Sequence, residues 1–214
     1  GAFPAAYDPG MSGIGYSAGI RAGAELVNME FIQMYTQNVG AFHLVPLFME
    51  PRFYNDAGEE FLNRYLPQGI DEEKCFTDRM KHFPFSARDD GKYFDIAIYD
   101  QIRGSGDAGG RVTADYSKLT AKQAVLRSRE FKLSHVFEPI IDQFVGKSYQ
   151  LKVIAQAFNG GLVIDERAET RVHGLFAAGE TAGGPHGADR LGGNMTAASV
   201  VFGSIAGENA ADYA

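Results

Sequence analysis

Nine of the chain's 26 glycines fall between Gly174 and Gly207, in the run GLFAAGETAGGPHGADRLGGNMTAASVVFGSIAG, which also carries Glu180 and Arg190 and ends in almost wholly small residues. Glycine lets a backbone approach a flat surface because no Cβ stands in the way. An acid and a base set among such glycines can address one ligand from two ends. The run therefore predicts a buried planar ligand and a helix that starts near Met195. The first N–H groups of that helix have no acceptor inside it and the dipole is positive there, which favours an anionic ligand by roughly 0.3 to 1 kcal/mol. Ala198, Gly203 and Gly207 give the helix a small face, which lets it pack closely against another element. A tight crossing of helix on strand with no ligand uses the same glycines, and on composition alone that alternative stays open. Asn194-Met195-Thr196 matches a glycosylation acceptor, but its place at a helix start in a glycine-packed run argues against that use.

The run resembles the C-terminal signature of the flavoprotein subunits of succinate dehydrogenase and fumarate reductase, a family that includes L-aspartate oxidase and the larger subunit of adenylylsulfate reductase. The residues that carry the likeness are Gly174 to Glu180 and His186-Gly187-Ala188-Asp189-Arg190-Leu191-Gly192-Gly193-Asn194, followed by the helix. A second stretch of likeness is Ser12-Gly13-Ile14-Gly15, then Ala22 to Leu26 and Met29 to Gln33. The resemblance implies FAD as cofactor, with Glu180 on its ribose and the backbone of Met195 and Thr196 at the pyrimidine end of the flavin. Gly13, Ile14 and Asn194 belong to the same cofactor-binding set. It also implies that Arg190 grips a substrate carboxylate, with His186 lining the cavity beside it.

Composition limits the alternatives. At 214 residues and 45% hydrophobic content, the chain can bury a substantial core. A net charge of -7 argues against nucleic acid and against an anionic membrane surface as partners. Cys75 is the sole cysteine, so an internal disulfide is excluded and a structural zinc or iron-sulfur site is not expected; no metal site is predicted. His43, His82, His135 and His173 show no metal-ligand spacing. No apolar run approaches the roughly 18 residues of a membrane span. A cytoplasmic location follows as the expectation, or one at the cytoplasmic membrane face through a partner.

A dinucleotide-binding domain normally opens with a strand and Gly-x-Gly-x-x-Gly entering a helix. Gly13-Ile14-Gly15-Tyr16-Ser17-Ala18-Gly19 has another spacing and follows a Pro/Gly-rich start. The chain is therefore expected to be the internal-to-C-terminal part of a longer flavoprotein. The expected architecture is mixed, α+β and α/β: residues 1–40 and 159–214 belong to a Rossmann-like FAD-binding domain, and 41–158 form an α+β capping domain inserted between its parts. Periodicity predicts a helix within Gly15 to Leu26 and strands over Val27 to Tyr35, Phe53-Tyr54, Arg111 to Ser117, Val153 to Gln156 and Leu162 to Asp165. Asn55-Asp56-Ala57-Gly58 reads as a turn, Glu59 to Tyr65 as helical, and Thr120 to Phe144 as one or two helices interrupted at Pro139. Loops are expected at Gly104 to Gly110.

Ser86-Ala87-Arg88-Asp89 reads as a capping box in its Asp form, opening a helix from Ala87 to Ile102 with Phe94, Ala97, Ile98 and Ile102 on one apolar face. Arg88 then sits in the first turn, where a cation opposes the dipole. Pairing with Asp89 or Asp90 is the ordinary use for such an arginine. The family resemblance implies another, since an Arg-Asp pair in the capping domain supplies the arginine that gives or takes the proton opposite the flavin.

On that reading Arg88 and Arg190 are the catalytic cations. Hydride passes between the flavin and one carbon of a C=C bond next to a carboxylate. The cations stabilise the charge that gathers on the carboxylate side, in a site from which a closing domain has expelled water. Because an arginine pKa ordinarily exceeds about 12, Arg88 needs a relay, for which Asp89 or Asp90 is placed. Tyr35 and Gln156 stand where fumarate reductases carry histidines that help hold the dicarboxylate; both donate hydrogen bonds and neither carries charge. Ile14 stands where succinate enzymes have Asp, and Met49-Glu50-Pro51-Arg52 replaces a Thr-Glu-Gly run. A carboxylate substrate other than fumarate is therefore expected, together with an electron-transfer subunit or domain as partner. The competing expectation is a binding or capping module that has no activity alone, because the first half of the FAD site lies elsewhere.

Overall fold

The computed structural model describes residues 12–40, 44–81, 86–104 and 110–213. His43, His82 and residues 105–109 of the expected loop lie outside them. The chain divides into two compact units, Gly1–Met34 with Ala155–Ala214, and Tyr35–Ile154.

In the first unit, helix α1 (Ile14–Ala22) runs from Gly13 to Gly23, both left-handed at φ 66° and 97°. A small sheet has the order β1 (Leu26–Val27), β6 (Gly161–Val163), β7 (Ala182–Gly183), antiparallel at the first pairing and parallel at the second. Its core is Leu162, Ala177 and Ala182, with Ala24 and Ile164 packed against them. Glycines make this packing possible. A Cβ on Gly19 would stand 2.5 Å from the Leu162 side chain, and one on Gly160 would stand 2.3 Å from the Asn28 carbonyl oxygen. Helix α6 (Asn194–Tyr213) completes the unit.

The small face of α6 is uneven, with Ala198 half-buried. Gly203 and Gly207 have open space where a Cβ would stand, and Val200 and Val201 on the same helix are exposed. Close glycine crossings lie on α1, β6 and β7, and a Cβ on Gly174 would stand 2.5 Å from the Tyr213 ring of α6.

The second unit is built around a sheet of order β2 (Ile32–Asn38), β5 (Ser148–Phe158), β4 (Val112–Asp115), β3 (Arg52–Tyr54), in which β3–β4 and β4–β5 are antiparallel. The strands β2 and β5 contain the two chain boundaries between units. Aromatic rings fill the core: Phe94 meets Phe53 at 5.1 Å and Phe76 at 6.1 Å, while Phe48 meets Phe137 edge-on at 4.9 Å. Burial pushes the Cys75 thiol up to about 12, which keeps it protonated and inert.

Helix α2 (Glu72–Met80) is capped by Asp71, which accepts the Lys74 N–H at 2.8 Å. Helix α3 (Lys92–Arg103) begins five residues later than the Ser86 motif predicts. Ser86 Oγ accepts the Arg88 N–H at 3.2 Å and Asp89 Oδ1 accepts the Gly91 N–H at 3.0 Å. Those two side chains close turns of their own and so compete with the first helical turn. The apolar face is as expected, with Phe94, Ala97 and Ile98 buried. Helix α4 (Ala121–Glu130) carries the reciprocal capping box, Thr120 with Gln123, and α5 (Ser134–Phe137) passes into a 3-10 segment containing Pro139. The stretch expected to be helical over 59–65 reduces to one 3-10 turn, Leu62–Arg64. The strand expected over 27–35 is split, because Asn28 takes a left-handed φ of 59° between β1 and β2.

Candidate functional site

Three residues far apart in sequence meet at Arg190. The Arg190 side chain comes from the glycine-rich loop, is 5% exposed, and donates through Nη2 to Gln156 Oε1 at 2.9 Å. Its Nη1 donates to the Leu191 carbonyl at 3.2 Å. From the N-terminal part of β2, the buried Gln33 donates through Nε2 to the Arg190 carbonyl at 2.7 Å. Gln156 and Arg190, both expected at the site, are thus brought together. Gln33 was not singled out as a site residue, although it ends the Met29 to Gln33 stretch; a neutral side chain gives the sequence no chemical signal.

His186 lies in the same loop and is half-buried. Its imidazole is held below the usual histidine range, first by burial and second by the Arg190 charge. At neutral pH it is therefore neutral, able to donate or accept one hydrogen bond without adding a second cation.

Beside this cluster the backbone is bare. Gly184, Gly187 and Gly193 each have open space where a Cβ would stand. They lead directly into α6, whose Asn194 N–H donates to the Leu191 carbonyl at 3.2 Å and whose Met195 and Thr196 N–H groups have no intrahelical acceptor. Glycine thus serves two purposes in this unit. Gly19 and Gly160 permit close packing of protein on protein, while the open glycines leave room for a flat ligand against the chain. Planar shape, anion-favouring helix end and an adjacent buried cation fit a flavin and a carboxylate.

Glu180 is exposed and its Oε1 accepts the Phe158 N–H at 2.8 Å. Its carbonyl accepts from the Tyr16 hydroxyl at 2.6 Å, and burial, with a smaller effect of the Glu180 charge, pushes that phenol up to about 12. Tyr16 thereby fixes α1 to the Glu180 turn. Gly13 begins α1 and Ile14 is 74% exposed beside it.

The other expected residues lie in the second unit. Arg88 is exposed in the turn that precedes α3. Two contacts brace that turn's end: a Cβ on Gly91 would stand 2.7 Å from the Arg79 backbone, and buried Arg79 Nε contacts Asp95 Oδ2 at 2.6 Å. Asp90 pairs with Lys74. Tyr35 is buried and donates to Gln37 Oε1 at 3.1 Å. Among the described residues no group of His, Cys, Asp and Glu could hold a metal ion.

A family model described as FAD binding domain matches residues 1–196. An uncharacterized FAD-dependent oxidoreductase of Methanocaldococcus jannaschii is 36% identical, over 94% of this chain and 35% of the relative. A fumarate reductase (CoM/CoB) subunit of Methanothermobacter marburgensis is 31% identical, again over 94% and 35%. The solved structure of Mycobacterium smegmatis Sdh1 in complex with UQ1 is similar at a TM-score of 0.66 and 27% identity, over 98% of this chain and 34% of that one. The chain spans about a third of the length of the curated relatives it matches. The chain belongs to the FAD-binding flavoprotein family of fumarate reductases and succinate dehydrogenases, a family of FAD-dependent oxidoreductases, and its cofactor is FAD.

Proposed function

We propose that the chain serves a flavoprotein that reduces or forms a C=C bond next to a carboxylate. The observation that carries this reading is Arg190, a buried residue whose guanidinium is held by Gln156 and whose carbonyl accepts from Gln33, beside an open glycine surface. When bound, the flavin supplies hydride exchange.

The chain's own residues do the rest. Arg190 binds the substrate carboxylate and stabilises the negative charge that gathers on it. Neutral His186 and the amide N–H groups of Gln156 orient the remainder of the acid. Glu180 would accept from the ribose hydroxyls, Gly13 and Ile14 would approach the nucleotide through backbone, and the Met195 and Thr196 N–H groups, in the turn that Asn194 opens, would donate to the pyrimidine end of the cofactor. Arg88 gives or takes the proton, and residues 41–158 act as the capping domain. The likeness to a protein named as one subunit of a fumarate reductase supports an electron-transfer subunit or domain as partner. Among the described residues no helix is long and apolar enough to cross a membrane, so placement at the cytoplasmic membrane face would rest on such a partner.

The test is oxidation of reduced viologen by a panel of unsaturated acids, using the FAD-loaded protein. Turnover with at least one carboxylate, lost in Arg88→Ala while FAD and acid still bind, is the expected result. Unchanged turnover in Arg88→Ala would remove Arg88 from the proton step.

A further inference from the structure

We propose that Tyr16 is a positioning residue for FAD that acts through Glu180. The inference rests on the reading that Glu180 accepts from the ribose hydroxyls, and it adds the group that sets where that carboxylate stands.

Tyr16 lies in the first turn of α1 and is half-buried. The helix comes close to the Glu180 turn because Gly15 carries no Cβ; one there would stand 2.6 Å from Thr181 Oγ1. At that separation the Tyr16 hydroxyl donates to the Glu180 carbonyl at 2.6 Å and lies 3.5 Å from the Gly160 carbonyl. A phenol has one proton, and the shorter contact takes it. Burial, and then the Glu180 charge, push the phenol up to about 12, so it stays a donor at neutral pH.

Glu180 is thus held from both ends. Tyr16 fixes its backbone, and the Phe158 N–H fixes one carboxylate oxygen, Oε1, at 2.8 Å. The residue is exposed, and among the described residues its second oxygen, Oε2, has no hydrogen-bond partner. The backbone here is a single 3-10 turn, Gly179–Thr181, that opens on Gly179 at φ 66°. So short a turn has little internal hydrogen bonding, and an outside donor decides where its carbonyl and side chain point. A carboxylate set in place before the ligand arrives loses less freedom on binding, which raises affinity.

FAD dissociation constants, followed by the flavin fluorescence that binding quenches, test the proposal in the unmodified protein, Tyr16→Phe, Glu180→Ala and the double variant. Tyr16→Phe keeps the ring and removes only the hydroxyl, and should weaken FAD about 3- to 10-fold. Glu180→Ala should weaken it about 10- to 100-fold, the worth of a charge-assisted hydrogen bond. In the Glu180→Ala background the effect of Tyr16→Phe should vanish, because no carboxylate remains to be positioned. An equal loss in both backgrounds would show a hydroxyl that only braces α1, and unchanged affinity in Tyr16→Phe would show one without influence on the cofactor. Either result overturns the proposal while leaving Glu180 on the ribose. Unchanged affinity in Glu180→Ala would instead remove Glu180 from the ribose, and the proposal with it.

Discussion

Arg190 and Gln156 are joined by a 2.9 Å hydrogen bond from guanidinium Nη2 to amide Oε1. A neutral amide orients the cation without cancelling its charge. A glutamate at the same place would satisfy the same hydrogen bond and neutralise the site.

Gln156→Leu removes the acceptor while keeping apolar bulk. The buried guanidinium then loses a partner, at a cost of about 1 to 3 kcal/mol. Urea unfolding of the two proteins measures this as a lower midpoint at unchanged slope.

His186 gives a pH signature. Its folded pKa lies below the ordinary value of 6.5, first through burial and second through Arg190. The unfolded chain therefore binds the proton more readily, so the contribution of His186 to stability is constant above about pH 6.5 and falls as the pH drops below that value. Arg190→Met should move the imidazole pKa upward, as followed by ¹⁵N NMR titration. An unchanged pKa would separate His186 from the Arg190 charge.

The two uses of glycine predict opposite effects of one substitution. Gly160→Ala places a Cβ 2.3 Å from the Asn28 carbonyl, a backbone atom that cannot swing away. A loss of about 1 to 3 kcal/mol is expected. Gly203→Ala meets nothing within 4 Å in a helix interior and should raise stability by about 0.5 to 1 kcal/mol. Thermal melting of both variants decides it.

Asp95 joins three elements, accepting the Thr36 N–H on β2 and contacting Arg79 on α2 from its own position on α3. Both partners of the ion pair have side chains at most 9% exposed. Asp95→Ala should cost about 3 to 5 kcal/mol, the penalty for removing one partner of a buried ion pair. A loss below about 1 kcal/mol in chemical denaturation would show that the pair is not the strut the packing implies.

Much of this was legible in the residues. The glycine run, Glu180 and Arg190 named the family and its cofactor, and the period of Phe94, Ala97 and Ile98 found the buried face of α3. Boundaries were less legible where side chains compete with the backbone. Thr120 with Gln123 and Ser86 with Asp89 look alike in sequence, yet the first pair caps a helix and the second residues close separate turns. Only the reach of each side chain in three dimensions separates them. Gln33 was overlooked because its role depends on the Arg190 carbonyl, 157 residues away in the chain.

The central claim is that Arg190 holds the substrate carboxylate. Titration of FAD-loaded protein with unsaturated carboxylic acids, followed by the change in flavin absorbance, tests it directly in the unmodified protein and in Arg190→Met. The account predicts retained FAD and acid binding weakened about 10- to 100-fold, the worth of a charge-assisted hydrogen bond at roughly 1.5 to 3 kcal/mol. Equal affinity in the two FAD-loaded proteins would contradict it.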